Sequence, residues 1–473
     1  MRGLVVDLFA GGGGASTGIE RALGRPVDIA VNHSPTAIAM HERNHPHARH
    51  YQADVWRVTP REAVAGHPVE LLWTSPACTH FSKAKGTHNP KSAKIRSLAS
   101  VVIRWARDVR PRLIFIENVE EFEDWGPLDN DGQPIDAKKG LSFRVWLGKL
   151  RAQGYQVEWR QLVAADYGSP TARKRLYLIA RCDGLPIVWP DPTHGPRRAM
   201  PHRTAAECID WSLPCPSIFL SKEEGRAARV KRPLAEATLR RIAAGVMRYV
   251  VNSARPFVVP NGTQLIAPAL VQTGYGEREG QAPRALNIQA PLGTIVAGGA
   301  KHALVSAFLA KHYGGVVGQP IDRPASTITT RDHHALVTVS TEGTRSADVR
   351  AFLMKYYSGG SKTTKAAPQL SLFDTGVASE SQGQSLHDPL HTITTKARFA
   401  LVAVDGVDYE IADIGMRMLA PHELWRAQGF DSPDVTGLDV TQQIELCGNS
   451  VCPQVAEALV RANVRLDAMR GAA

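Results

Sequence analysis

Cys78 is the residue of this chain whose surroundings best fit covalent catalysis. It lies in the segment SPACTHFSKAKG, residues 75–86, directly after the apolar run 71–73, so the sequence predicts a thiol on the loop that leaves a strand. Lys83 and Lys85 are close in sequence, and nearby cations lower a cysteine pKa from about 8.5 toward neutrality. A lone cysteine is more often a buried structural residue, but the polar loop favours a nucleophile here.

An acid and two arginines are candidate partners for this thiol. Glu117 ends the apolar run of LIFIENVEEF, residues 113–122, where burial would raise the pKa of its carboxyl group and let it donate a proton. The alternative is an acid that caps a helix. Arg173 and Arg175 stand at alternate positions before a strand in SPTARKRLYLIA, where they can face one anionic site, although by themselves they fit a solvated rim better.

The turn DLFAGGGG, residues 7–14, is a candidate ligand-binding turn. Gly11 to Gly14 follow a strand and precede a helical stretch, so backbone amides at a helix N-terminus can approach a ligand closely. The spacing is not GxGxxG, and no Lys-Ser or Lys-Thr pair follows, which argues against a P-loop. Phe9 can stack on an adenine, and Asp54 in YQADV can accept a hydrogen bond from its amine; a tight turn with a core phenylalanine is the alternative.

The elements that must position these residues follow an α/β rhythm. Short apolar runs at 4–9, 27–31, 71–74, 113–116 and 176–180 alternate with helical stretches, which predicts a doubly wound, mostly parallel sheet. In such a sheet ligands bind at the carboxyl ends of the strands. The glycine turn, Cys78 and Glu117 all follow such ends, so we expect them to share one site.

The middle of the chain has a different texture. Residues 181–404 are rich in Pro, Gly, His and Thr, with one predicted helix at 234–250. Three segments, LVQTGYG, FLAKHYGG and FLMKYYSGG, are each followed by a threonine-rich strand signal that contains Thr294, Thr327 or Thr392. This pattern predicts three β-rich repeats.

Helical patterns return after residue 404, at 416–430 and 448–466. The last helix has too little apolar surface to stand alone, so we expect it to dock on the first domain. The predicted organisation is therefore a domain of residues 1–180, an inserted lobe of residues 181–404, and a C-terminal segment of residues 405–473.

Composition limits the class of protein. With 473 residues and 43% hydrophobic content, the chain can bury a large core, and its net charge of +11 favours a polyanionic partner. None of the six cysteines forms a Cys-x-x-Cys pair, so we expect no structural zinc or other metal and reduced thiols in a cytoplasmic protein. No apolar stretch approaches the about 18 residues of a membrane span. We expect a monomer.

Taken in order, these segments resemble the DNA cytosine-5 methyltransferase family, in particular its phage and prophage members. The resemblance covers roughly the first 180 and last 65 residues. It is carried by DLFAGGGGASTGIE, YQADV, SPACTHFSKAKG, IENVEEF, DYGSPTARKRLYLIA, RMLAPHELWRAQGF and GNSVCPQVAEALV. It implies a Rossmann-like S-adenosylmethionine-dependent methyltransferase domain with an inserted β-rich target-recognition lobe.

The resemblance also implies roles for particular residues. Cys78 would be the nucleophile that adds to a flipped cytosine, Glu117 the acid, and Arg173 and Arg175 would surround the base. The residues implied to hold S-adenosylmethionine are Phe9, Gly11, Gly13, Asp54 and Asn449. Ser82, Lys83 and Lys85 are candidate contacts to DNA phosphates, with a solvated loop as an equal alternative.

The sequence departs from the family pattern at several positions. Ala77 stands where the family usually has proline, Thr79 and Thr171 stand where it has glutamine, and the acid that normally binds the cofactor ribose is missing around Asn32 and His33. These changes predict a differently shaped nucleophile loop and either an altered affinity for the cofactor or a nonstandard cofactor.

Three functions remain open at this point. The first is methylation of double-stranded DNA. The second is methylation of tRNA by a related fold, and the third is a catalytically silent DNA-binding protein. The long repetitive lobe favours duplex DNA, because the tRNA enzymes are compact, and the presence of Cys78 and Glu117 argues against a silent protein.

Overall fold

The computed structural model divides the chain into two compact units. It describes residues 3–76, 97–130, 133–261, 264–273, 281–299, 301–311, 345, 348–349, 352–353, 401–404 and 407–464. The first unit comprises Met1–Ile209, Gln289–Ala300 and Ala420–Ala473, and the second comprises Asp210–Ile288 and Lys301–Leu419. The sequence placed the domain boundaries at residues 180 and 405.

The first unit contains a seven-stranded sheet. Its strands are β1 (Leu4–Leu8), β2 (Ile29–Asn32), β3 (Arg49–Gln52), β4 (Val69–Thr74), β5 (Leu113–Asn118), β6 (Gln156–Val163) and β7 (Lys174–Arg181). They lie in the order β3-β2-β1-β4-β5-β7-β6. Neighbours from β3 to β5 are parallel, and β7 runs antiparallel to both β5 and β6. This confirms the predicted doubly wound, mostly parallel sheet.

Helices cover both faces of this sheet. In chain order they are α1 (Gly14–Leu23), α2 (Pro35–Asn44), α3 (Pro60–Val64), α4 (Ser100–Val109) and α5 (Leu141–Ala152). Adjacent strand residues enter different cores: Leu72 and Ile114 pack on one face, Leu71 and Phe115 on the other. Because both faces are buried, the strands are continuous apolar runs in the sequence.

The second unit is built on an antiparallel sheet. Two helices, α6 (Lys222–Ala227) and α7 (Glu236–Val246), precede its strands β8 (Val259–Asn261), β9 (Gln264–Gln272), β10 (Ala285–Leu286), β11 (His302–Lys311), β12 (Leu401–Val404) and β13 (Val407–Met418). Ile242 and Val246 of α7 join the core with Ala267, Val305 and Ile414. The predicted helix at 234–250 thus corresponds to α7 and the π-helical turn Met247–Val251 that continues it.

Part of the repetitive region lies within the described residues. Residues 270–272 belong to β9, and 302–305, at the end of the first threonine-rich signal, belong to β11. Thr294 lies between them in Gln289–Ala300, which forms part of the first unit. Thr327 and Thr392 fall outside the described residues.

The C-terminal segment returns to the first unit, and its described part, residues 420–464, contains three helices. They are α8 (Pro421–Ala427), α9 (Val440–Asn449) and α10 (Pro453–Asn463). The last of them packs against α1 at Gly18, where an added Cβ would lie 2.7 Å from Ala456 Cβ and closer still to the Pro453 carbonyl oxygen. Within the described residues no helix combines the length and apolar character of a membrane span.

Two helix predictions in this segment were wrong at their starts. The helix predicted at 416–430 begins only at Pro421, because Met416 and Met418 belong to β13 and Ala420 is extended. A proline at the first helical position and Glu423, which accepts a hydrogen bond from Ala420 N at 2.6 Å, fix this start. In the segment 448–466, the first two residues end α9, and a new helix begins at Pro453.

Candidate active site

Three parallel strands end side by side at one edge of the first unit's sheet. Leu8 on β1 pairs with Thr74 on β4, and Thr74 pairs with Ile116 on β5. The next residues along the chain begin the glycine turn, the segment that leads to Cys78, and the acid Glu117. The carboxyl ends of parallel strands form the ligand crevice of an open α/β sheet, so the structure brings the starts of all three segments to that crevice.

The glycine turn has the backbone geometry of a ligand cradle. Phe9 and Gly11 have φ angles of 62° and 56°, and Gly13, with φ 95°, caps α1. A positive φ is uncommon for a phenylalanine and is typical of functional turns. Among the described residues, a Cβ on Gly11 would meet only the Phe9 carbonyl oxygen, at 3.8 Å, whereas one on Gly12 would lie 2.8 Å from Met40 Sδ. With respect to these residues the turn is therefore open beside Gly11.

Asp54 and Asn449 lie at the ends of two other elements of the first unit. Asp54 follows the carboxyl end of β3, at the same sheet edge, and its Oδ1 accepts a hydrogen bond from Trp56 N at 3.0 Å. Asn449 ends α9, and the segment directly after it lies against the start of α1, because a Cβ on Gly14 would be 3.2 Å from the carbonyl carbon of Val451. A backbone turn with positive φ angles, an acid at the same sheet edge, and an amide directly before the segment that packs on α1 fit S-adenosylmethionine.

Glu117, Arg173 and Arg175 form a buried charged cluster. Glu117 is only 7% exposed. Its Oε1 lies 3.4 Å from Arg175 Nε and 3.8 Å from Arg173 Nη2. That oxygen has no hydrogen-bond partner among the described residues. When ionised, this carboxyl oxygen can accept a hydrogen bond from a bound base, and when protonated it can donate one.

Arg173 is held in place by backbone from two distant segments. It is 5% exposed, and its Nη1 donates to the carbonyl oxygen of Gly448 at 3.0 Å and of Ile295 at 3.4 Å. The segment containing Ile295 also pairs with the chain just before the arginine, since Ala172 N donates to Leu292 O at 2.7 Å. The first threonine-rich segment, assigned from sequence to the inserted lobe, thus supports the arginine.

Asn118 is a positioning residue that sequence reasoning missed. It is 2% exposed; its Nδ2 donates to Pro76 O at 3.2 Å, and its Oδ1 accepts from Val119 N at 2.9 Å. It thereby fastens the start of the Cys78 segment to the end of β5. The available signal was an amide directly after Glu117 at the end of an apolar run.

The nucleophile segment itself lies outside the described residues. Cys78, Ser82, Lys83 and Lys85 all fall there, as do Ala77 and Thr79. Elsewhere, burial raises the pKa of the Cys208 thiol to about 12 and of Cys452 to about 11, and it also raises the pKa of Cys215 and Cys447. These four thiols are neutral at physiological pH and poor nucleophiles.

A doubly wound sheet with a glycine turn and a buried acid beside two arginines defines a Rossmann-like domain with a ligand crevice. The model of the family described as C-5 cytosine-specific DNA methylase matches residues 4–209 and 331–465, which is more than two thirds of the chain. The chain belongs to this family. It is a DNA cytosine-5 methyltransferase by class, and the family's cofactor is S-adenosylmethionine.

Individual relatives share about a quarter of the aligned residues with this chain. The type II methyltransferase M.AquIA of Picosynechococcus sp. is 27% identical over 229 residues, which cover 44% of this chain and 89% of that protein. M.SacI of Streptomyces achromogenes is 27% identical over 214 residues, 40% of this chain and 50% of its own length. M.Sau3AI of Staphylococcus aureus is 26% identical over 184 residues, 37% and 42% respectively. This chain therefore spans half or less of the length of M.SacI and M.Sau3AI.

Solved structures that align with this chain include two methyltransferases. One is a DNA modification methyltransferase encoded within a prophage of E. coli, with TM-score 0.46, 15% identity, and coverage of 97% of this chain and 98% of that one. The other is a Spodoptera frugiperda DNMT2 variant, with TM-score 0.49, 12% identity, and coverage of 97% and 99%. Similarities at this level add nothing to the family assignment.

Proposed function

We propose that this enzyme methylates carbon 5 of cytosine within a specific sequence of double-stranded DNA, through a covalent bond between Cys78 and a base flipped out of the helix. The observation that carries the proposal is the cluster in which Glu117 Oε1 lies 3.4 Å from Arg175 and 3.8 Å from Arg173. It lies at the sheet edge where the glycine turn begins and the Cys78 segment leaves β4.

The residue types match the needs of the reaction. Carbon 5 of cytosine is a poor nucleophile, and S-adenosylmethionine, when bound, supplies an electrophilic methyl group. The Cys78 thiolate adds to carbon 6 while Glu117 protonates ring nitrogen 3, so electron density moves to carbon 5 and that carbon takes the methyl group. A base then removes the proton from carbon 5, the Cys78 thiolate leaves carbon 6, and ring nitrogen 3 returns its proton to Glu117. Arg173 and Arg175 orient Glu117 and the flipped base.

The remaining predicted residues bind the two substrates. Phe9, Gly11, Gly13, Asp54 and Asn449 hold the cofactor at the open side of the glycine turn. Ser82, Lys83 and Lys85 contact phosphates next to the flipped base. Flipping costs a few kcal/mol, which such backbone contacts help to offset.

Duplex DNA is the proposed substrate because the chain carries much more than a catalytic domain. A second unit with its own core and antiparallel sheet is available for target recognition, and the net charge of +11 favours a polyanion. We assign this unit to target recognition and expect the enzyme to act as a cytoplasmic monomer. The five described cysteines are all free thiols, which supports a reducing compartment.

The test is transfer of a labelled methyl group from S-adenosylmethionine to unmethylated duplex DNA, followed by base-resolution conversion sequencing. We expect label on cytosine within one short motif, and no transfer by Cys78→Ala. Cys182→Ala is the matched control, because this half-buried thiol lies apart from the charged cluster and donates to the carbonyl oxygens of Pro111 at 3.5 Å and Arg112 at 3.9 Å. Label on tRNA and none on duplex DNA would overturn the proposal.

A further inference from the structure

The buried histidine His45 packs against the glycine turn at Gly13. His45 is 4% exposed and follows α2 as its C-terminal cap. Its Nδ1 lies 2.9 Å from Glu20 Oε2 on α1, and its Nε2 lies 3.2 Å from the Gly13 carbonyl oxygen. A Cβ on Gly13 would lie 2.6 Å from His45 Cδ2, so the ring packs directly against this residue of the turn.

The partners of the ring fix its number of protons. A carboxylate and a carbonyl oxygen only accept hydrogen bonds, and a neutral imidazole has one N–H to donate. Thr17 Oγ1, 3.4 Å from Nε2, donates its own hydrogen to Gly13 O at 2.8 Å and is therefore another acceptor toward the ring. Both contacts of His45 form together only if two protons are present. If one of these two protons moves along the hydrogen bond to Glu20, the His45–Glu20 pair still holds both protons.

The surroundings favour a cation at this position. The carboxylate of Glu20 faces it from α1, and the C-terminus of α2 provides the negative end of a helix dipole. The neighbouring titratable groups are shifted mainly by burial. Burial lowers the pKa of His41, whose ring centroid is 4.5 Å from that of His45, and it also lowers the pKa of His50. Burial raises the pKa of Asp7 to about 7, against the opposing effect of His45.

We propose that His45, as an imidazolium paired with Glu20, is a positioning residue that holds the Gly13 carbonyl and so keeps the glycine turn in its cofactor-binding conformation. This inference rests on the proposed role of Gly11 and Gly13 in binding S-adenosylmethionine. The ring of His45 contacts Glu20, Gly13 and Thr17, so its role is assigned as positioning rather than catalysis. Its loss should therefore weaken cofactor binding and leave the rate at saturating cofactor nearly unchanged.

Calorimetric titration of S-adenosylmethionine tests the positioning role. His45→Phe keeps an aromatic ring but removes both nitrogens, and we expect the dissociation constant to rise about tenfold, as for a lost hydrogen bond to a charged group. His45→Gln keeps one donor and should recover most of that loss. The control is His47→Phe, an exposed histidine of the same loop. In steady-state kinetics the KM for cofactor should rise in His45→Phe while kcat stays within about twofold.

Nitrogen NMR of the wild-type protein tests the protonation state independently. Both ring nitrogens of His45 should show protonated shifts at neutral pH, and in Glu20→Gln one should lose its proton, because the amide can donate to Nδ1. A neutral ring in the wild type, unchanged cofactor affinity in folded His45→Phe, or equal losses in His45→Phe and His45→Gln would overturn the inference. If His45→Phe does not fold, the NMR result decides. Wild-type protein that fails to bind the cofactor would instead contradict the proposed function.

Discussion

Gly448→Ala adds one methyl group at the point where two backbone segments support Arg173. The new Cβ would lie 2.7 Å from Ala297 Cα and closer still to Ala297 N and the Val296 carbonyl carbon. Carbon atoms in contact are normally about 3.5–4.0 Å apart. Because backbone atoms cannot rotate away as a side chain would, the segment containing Ile295 must move from α9 by roughly 1 Å.

This displacement has two measurable costs. Overpacking costs about 1–3 kcal/mol, and the helical preference for alanine over glycine returns about 1 kcal/mol, so the free energy of unfolding should fall by up to about 2 kcal/mol. The acceptors of Arg173, Gly448 O at 3.0 Å and Ile295 O at 3.4 Å, move apart at the same time. A misplacement of about 1 Å in a catalytic group can lower the rate about 100-fold.

The assay is methyl transfer at saturating cofactor and DNA, together with urea unfolding. Gly148→Ala is the matched control, because this glycine is inside α5 and a Cβ there would have no described atom within 4 Å. It should raise the free energy of unfolding by about 0.5–1 kcal/mol and leave the rate unchanged. A wild-type rate in folded Gly448→Ala would refute the role assigned to the two carbonyl oxygens.

Other single substitutions test the cluster around Glu117, the packing of α1 against α10, and the buried carboxyl group of Asp7. Glu117→Gln should lower kcat by about 10² to 10⁴, the usual contribution of a general acid, whereas Glu120→Gln, which removes a half-exposed carboxylate 3.0 Å from Lys174, should not change it. Gly18→Ala should lower the urea midpoint, because its Cβ would lie 2.7 Å from Ala456 Cβ on α10; an unchanged midpoint would contradict this helix contact. Burial raises the pKa of Asp7 from 3.8 to about 7, so the folded protein keeps a proton that the unfolded chain releases. Stability should therefore fall by a few kcal/mol as the pH rises from about 4 to 7, and Asp7→Asn should flatten that part of the profile.

The central strands could be predicted because they are buried on both faces. The sequence runs at 71–74 and 113–116 lie within β4 and β5, and the run at 176–180 lies within β7. The edge strands β3 and β6 were missed, because most of their residues are exposed or half-buried and no apolar run marks them. An edge strand has one unpaired side and needs no continuous apolar sequence.

The site could be predicted in part for a similar reason. Glu117 and the glycine turn follow apolar strands, and the sheet order places those strand ends together. The contacts of Arg173 with Ile295 O and Gly448 O could not be predicted, since they join backbone atoms separated by 122 and 275 positions in the chain. A backbone carbonyl carries no sequence signal, so only the tertiary fold reveals such a contact.

The most direct test of the central claim is a covalent trap. A duplex that carries 5-fluorocytosine at the target position should remain bonded to the enzyme after methyl transfer, because fluorine cannot leave carbon 5 as a proton does and the thiol is then not expelled. The account predicts a complex that survives denaturation, forms only with S-adenosylmethionine, and maps by peptide mass spectrometry to Cys78. Methyl transfer without a stable complex, or a complex at another residue, would contradict it.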